Sequence, residues 1–136
     1  MSSKDKSAMS VICPIATSLG LVSNKWKVEI IWYLLKNGKQ RFGELRRNVK
    51  GISQKVLTDN LRDMERSGLL TRTVYAEVPP RVEYKLSDLG ESLRPTLDVI
   101  EEWGTEYLRS RYPDRDFLTC TEADEFGTAS EPKSKK

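Results

Sequence analysis

From Pro14 to about Arg109 the apolar residues recur every three or four positions, give way to alternation, and then return to the helical period. Pro14 to Val22 predicts a short helix with Ile15, Leu19 and Val22 on one face. Proline suits its first turn, where the missing N–H has no partner anyway. A second helix is predicted from about Lys25 to Lys36, capped by Asn24 or Ser23 and stopped by Asn37-Gly38. Trp26, Ile30, Ile31, Leu34 and Leu35 give it a broad apolar face that must be buried. Trp32 and Tyr33 widen that face towards a partner surface.

A third helix covers about Phe42 to Val49, with Phe42, Leu45 and Val49 inward. Lys50-Gly51-Ile52 reads as a turn. Ser53 then caps a fourth helix to about Ser67, with Leu57, Leu61 and Met64 as core stripe and Gly68 as stop. Leu69 to Val78 and Arg81 to Leu86 read as strands, the second alternating Val82, Tyr84 and Leu86 with Arg81, Glu83 and Lys85. Pro79-Pro80 belongs at the bend, because proline cannot continue a ladder. Ser87 caps a last helix to about Arg109, lined by Leu89, Leu93, Leu97, Ile100, Tyr107 and Leu108 and kinked or divided at Pro95. The expected fold is mainly α with a small β-hairpin wing, a winged helix-turn-helix built on the third and fourth helices. Residues 13–110 form the domain, and 1–12 and 111–136 read as polar tails.

Composition narrows the function. The chain has 136 residues, no histidine and two cysteines, Cys13 and Cys120. A structural zinc site needs about four Cys or His ligands, and Ser-His-Asp or Cys-His catalysis needs an imidazole. No metal, no cofactor and no enzymatic activity are expected. No stretch approaches the ~20 apolar residues of a membrane helix. Met1 to Ser10 has lysines without an apolar run behind them, unlike a signal peptide. A cytoplasmic protein is expected.

The net charge of +3 is unevenly spread: +2 over residues 1–35, +6 over 36–85, −3 over 86–112 and −2 over 113–136. A basic middle fits a nucleic-acid footprint; a merely solvated surface is the other reading. On the fourth helix, Lys55, Asp59, Arg62 and Arg66 lie opposite the core stripe, with Thr58 beside them. Residues near the start of a recognition helix reach base edges, which nominates Gln54, Lys55 and Thr58. Gln pairs with adenine, Lys with guanine, and the Thr methyl meets a thymine methyl. Ser53 and the helix start suit a phosphate, and Arg62 serves base or phosphate. Lys36, Lys39, Arg41, Arg46, Arg47 and Lys50 stand against Glu44 alone and flank that helix. Arg81 at the wing either enters a minor groove or pairs with Glu77.

The ordered pieces resemble the HxlR-type family of winged helix-turn-helix regulators, which are MarR-like. The pieces are Cys13-Pro14, Lys25-Trp26, Arg41-Phe42-Gly43-Glu44-Leu45-Arg46-Arg47, Gly51 through Thr58, Leu61-Arg62, Gly68 through Arg72, Tyr75 through Tyr84, Leu86 through Gly90, and Glu102-Trp103-Gly104. They span about Cys13 to Tyr107. Gly43, where that family often has a polar residue, is the one small departure. The resemblance implies a homodimer on a roughly palindromic operator, repressing or activating nearby genes. It implies dimerisation through the first and last helices, here Ile15, Leu19, Leu93, Leu97, Ile100, Trp103 and Tyr107.

It also implies, for some members, oxidant or electrophile sensing by a cysteine before this proline, with a disulfide between subunits to a second cysteine near the C-terminus. Cys13 and Cys120 stand in those places. The positive end of a helix favours a thiolate at Cys13, with Lys25 and Lys27 as further candidates to assist; an inert packed thiol is the alternative. The rival to the whole reading is a winged-helix module for protein contacts without DNA. The inducer, a small molecule or an oxidant, is not named by these residues.

Overall fold

The computed structural model describes residues 12–116. The backbone divides after Ser92 into two units. The first contains helices α1 (Pro14–Leu21) and α2 (Lys25–Asn37), strand β1 (Gln40–Arg41), helices α3 (Phe42–Asn48) and α4 (Gln54–Arg66), strands β2 (Leu70–Tyr75) and β3 (Arg81–Leu86), and the short α5 (Asp88–Glu91). The second is α6 (Arg94–Arg111). This is the winged helix-turn-helix order, with one strand more than the hydrophobic pattern predicts.

Local chemistry sets the boundaries. Asn24 caps α2, its side-chain oxygen accepting from the Lys27 amide at 2.9 Å, and Ser53 caps α4 by accepting from Val56 N at 3.1 Å. Gly68 ends α4 with φ +85. Its N–H bonds Glu65 O at 3.1 Å, and the next N–H, of Leu69, bonds Met64 O at 2.9 Å. This pair of bonds uses the helix's last carbonyls and requires the left-handed residue that glycine supplies. Gly51, with φ +83, turns the chain between α3 and α4.

The core of this unit comes from the three helices after α1 and the two wing strands: Ile30, Ile31 and Leu34 of α2, Leu45 of α3, Leu57, Leu61 and Met64 of α4, Leu70 of β2, and Tyr84 and Leu86 of β3 are all buried. Nothing on α1 is buried. The sheet is antiparallel in the order β1-β3-β2. Gln40 pairs with Tyr84 and Arg41 with Glu83, so β1 fastens the start of α3 to the wing.

Several expected boundaries shift. The first wing strand ends at Tyr75 rather than Val78, because the chain turns there, with Glu77 N bonding Tyr75 O at 2.9 Å. It begins at Leu70, since Leu69 is used closing α4. The predicted last helix is divided: Ser87 caps only the one-turn α5, its oxygen accepting from Gly90 N at 3.1 Å. Pro95 then sits in the first turn of α6, the place that dispenses with its N–H. α6 continues through Arg111, one residue past the expected domain edge. Of the expected tails 1–12 and 111–136, all but residues 12 and 111–116 fall outside the described residues, as does Cys120.

Candidate nucleic-acid interface

Helix α4 buries Leu57, Asn60, Leu61 and Met64 and turns Gln54, Lys55, Asp59, Arg62 and Arg66 outward, as the period predicts. Gln54 opens the helix, fully on the surface. Lys55 is not free: its Nζ lies 2.9 Å from Asp59 Oδ2, one turn on. That hydrogen bond is the main reason Asp59 holds its carboxyl below the ordinary 3.8. Arg66 pairs likewise with Asp63. Ser53 spends its hydroxyl oxygen on the cap, which leaves its O–H as the group available to an anion.

Thr58 and Arg62 lie on the edge of a groove of about 390 Å³ between α4 and the wing. Glu65 of α4, Arg72 and Val74 of β2, and Tyr84 of β3 complete it. Burial pushes the Tyr84 hydroxyl above its ordinary 10.0, against the opposing pull of Arg72 and Arg62. Both guanidiniums are therefore near one phenol, one from the helix and one from the wing. Among the described residues neither has a carboxylate within ion-pair distance. Arg72 escaped the sequence reading. Its signal was present, since Leu70, Arg72 and Val74 share one strand face by the period of two.

Arg41, Arg46 and Arg47 are exposed on and before α3. Arg41 sits at its N-cap, where its backbone N–H donates to Glu44 Oε1 at 2.8 Å. Arg41, Gly43, Glu44 and Arg47 line a second hollow of about 410 Å³, so the glycine leaves open space between two arginines. Arg81 takes the pairing alternative: its Nη2 is 3.1 Å from Glu77 Oε2, and its guanidinium lies 4.0 Å over the Tyr75 ring.

The other predicted sites are scattered. Ile15 (72% exposed) and Leu19 lie open on α1. Ile100, Trp103 (69% exposed) and Tyr107 lie open on α6, with the Trp103 and Tyr107 rings stacked at 5.8 Å. Leu93 is half-buried and Leu97 is buried within the single chain, so neither extends that stripe. Val99 and Leu108 extend it instead. Cys13 is exposed at the N-cap of α1. The lysines expected to assist it are directed elsewhere: Lys25 reaches Glu29 and the Trp26 ring, and Lys27 reaches Asp63. Among the described residues no cluster of three metal-ligating side chains occurs, and no helix is long and apolar enough to cross a membrane.

Fold and polar surface together define a winged helix-turn-helix protein. The sequence model of the HxlR-like helix-turn-helix family matches residues 21–112, and the chain belongs to that family. An HTH-type transcriptional regulator of Methanothermobacter thermautotrophicus is 45% identical over 96 residues, 71% of this chain and 72% of the relative. The solved structure of the HTH-type transcriptional regulator YtcD superposes with a TM-score of 0.66 at 40% identity, covering 72% of this chain and 99% of that one. The redox regulator HypR in its reduced form gives 0.67 at 37% identity, covering 76% and 100%. The protein is accordingly a transcription regulator of this family and not an enzyme.

Proposed function

We propose that this regulator acts in the cytoplasm as a homodimer that binds a palindromic duplex operator, with α4 in the major groove and the wing against the backbone. The observation that carries the reading is the pair of arginines, Arg62 and Arg72, on the two sides of the α4–wing groove, where among the described residues no carboxylate, Glu65 of the same groove included, lies within ion-pair distance of either. A phosphate passing between helix and wing meets positive charge from both. Gln54, Lys55 and Thr58 are the base readers. Arg41, Arg46, Arg47 and Ser53 hold the backbone and set register. Arg81 supports the wing rather than reading DNA. The exposed apolar faces of α1 and α6 supply the dimer contact.

The test is a salt titration of binding to the duplex upstream of the protein's own gene and to a random duplex. Phosphate contacts make log K fall linearly with log salt, by about 0.9 per phosphate neutralised. Arg62→Ala and Arg72→Ala should each flatten that slope by about one. Affinity independent of salt and unchanged in both variants sinks the reading and leaves the protein-contact module.

We further infer that Cys13 couples oxidants to this binding. Its exposure at the α1 N-cap supports this, as does similarity to HypR, a redox regulator by name. Modification there shifts α1 in the dimer and moves the recognition helices out of register with successive grooves. Diamide should weaken operator binding of the parent and leave Cys13→Ser unaffected. Equal responses remove Cys13 from the mechanism. A Cys120→Ser variant tests the intersubunit disulfide in the same assay.

A further inference from the structure

Glu83 lies on β3, the middle strand, on the face opposite Tyr84. Its side chain is only 13% exposed, which is unusual for a carboxylate on a small wing. Two cations approach it from different segments. Lys39 Nζ, just before β1, is 3.5 Å from Oε1, and Arg81 Nε, at the start of β3, is 3.6 Å from Oε2. Arg81 in turn reaches Glu77 at 3.1 Å and covers the ring of Tyr75, its register partner across the hairpin. Two positive and two negative side chains thus close a neutral network across the wing loop, β3 and the segment leading into α3.

Neutrality here has a consequence. Lys39 belongs to the most basic stretch of the chain, and Arg81 stands beside the wing loop. Without Glu83 both would add to the positive surface offered to any phosphate, whatever the base sequence. Such charge raises affinity for all duplexes alike and lowers discrimination. Among the described residues the groove arginines and those around α3 have no such ion pair, so the wing base is selectively silenced.

We propose that Glu83 is a positioning and specificity-determining residue: it fastens the wing to the segment leading into α3 and withholds Lys39 and Arg81 from DNA phosphates. This rests on the DNA-binding reading above. Glu83→Gln keeps the shape and removes the charge, leaving the network at +1. The double variant Glu77→Gln, Glu83→Gln leaves it at +2.

Three measurements decide it. Binding to a random duplex should tighten several-fold in Glu83→Gln, with a salt slope steeper by about one, and by about two in the double variant. The ratio of upstream-duplex to random-duplex affinity should fall in the same order. Amide exchange should quicken at Gln40 and Val82 while Ile30 and Leu34 of α2 stay protected, a local loosening that general destabilisation would not give. Unchanged slopes together with unchanged exchange overturn the proposal. Should Glu83→Gln fail to fold, Glu77→Gln carries the same slope test, since that carboxylate is half exposed. A parent that binds no duplex even at low salt overturns the DNA-binding reading alone, and the exchange comparison still decides whether Glu83 holds the wing.

Discussion

Asn24 Nδ2 donates to Asn60 Oδ1 across 3.1 Å, tying the cap of α2 to the inner side of α4. Asn60 is the one buried polar side chain among the described residues. Its own Nδ2 donates to Val56 O at 2.8 Å, and Asn24 Oδ1 accepts from the Lys27 amide at 2.9 Å. The chain of bonds fixes the rotation of α4 about its axis, and with it which residues face outward. Asn60→Ala removes both bonds and leaves the exposed Asn24 amide to water, and should cost about 0.5–1.5 kcal/mol. Asn24→Ala loses cap and tie together and should cost at least as much. Urea unfolding checks both; variants with the parent's midpoint would show that packing alone sets the rotation.

The Lys55–Asp59 pair bears on base reading. Asp59→Asn frees the Lys55 amine and removes a negative charge from the outward face of α4. Duplex binding should tighten, with a salt slope steeper by about one, while Lys55→Ala weakens binding to the preferred duplex more than to random DNA. The pair is exposed, so stability should barely respond. Asp59 has a depressed pKa in the folded state. Its small stabilising contribution is therefore present above the ordinary 3.8 and lost as pH falls below it. A slope unchanged by Asp59→Asn would place Lys55 away from phosphate and base alike.

Much of this was legible in the chain, and the misses share a cause. Periodicity located α2, α3 and α4 because one face of each must be buried, and Ser53, Asn24 and Gly68 marked ends because capping chemistry is local. Strand β1 has two residues and therefore no period to read. It exists because the edge of β3 offers Tyr84 and Glu83 as pairing partners some forty positions later. Asn60 is a polar residue on the buried side of α4 whose partner is 36 positions away, which no local pattern reveals. Lys55 is nominated for a base edge with Asp59 on the same face, and the i,i+4 spacing already allows the pair that forms. Arg62 and Arg72 come to one groove only when the wing folds back beside α4. Long-range polar pairing, not helix placement, was beyond the one-dimensional pattern.

Gly90 shows a packing constraint of the same kind. A Cβ added there would lie 2.2 Å from the backbone oxygen of Leu69 and 3.0 Å from Leu86 Cδ2. The obstruction is main chain, at the point where Ser87 N bonds Leu69 O at 3.0 Å, so it cannot swing aside. Gly90→Ala should destabilise by about 1–3 kcal/mol, as overpacking does. The helix preference of alanine, worth about 1 kcal/mol the other way, sets the control: Gly104→Ala, with open space around it on α6, should be neutral or stabilising. Equal melting temperatures for the two would remove the close-approach argument.

Tyr84 predicts an alkaline transition. Its pKa is raised in the folded state by burial, above the ordinary 10.0. A group with a raised folded pKa contributes stability that is complete below the unfolded value and lost as pH climbs through the folded one. Thermal midpoints of the parent should therefore drop above about pH 10 more steeply than those of Tyr84→Phe. Parallel curves would mean that Tyr84 ionises as freely folded as unfolded.

The apolar faces of α1 and α6 carry the last prediction. Ile12, Ile15 and Leu19 on and before α1 are exposed, and α1 buries none of its residues. On α6, Val99, Ile100, Trp103, Tyr107 and Leu108 are exposed as well. Two such faces on a chain of 136 residues exceed the scattered apolar exposure ordinary for a monomer, and a short helix without buried residues has little tertiary packing to hold it. On the homodimer reading proposed above, a second copy of the chain supplies packing to both, through a self-complementary interface. Trp103→Glu removes the largest exposed ring and its stacking on Tyr107, and should convert the dimer to monomer at micromolar concentration. Ile15→Glu should do the same from the other face. Circular dichroism distinguishes a folded monomer from an unfolded chain, and because Trp103 and Ile15 are surface residues, the wing unit should keep its helices. Light scattering that finds the unaltered protein as a stable monomer at that concentration would leave both faces without their partner and would defeat the dimer reading.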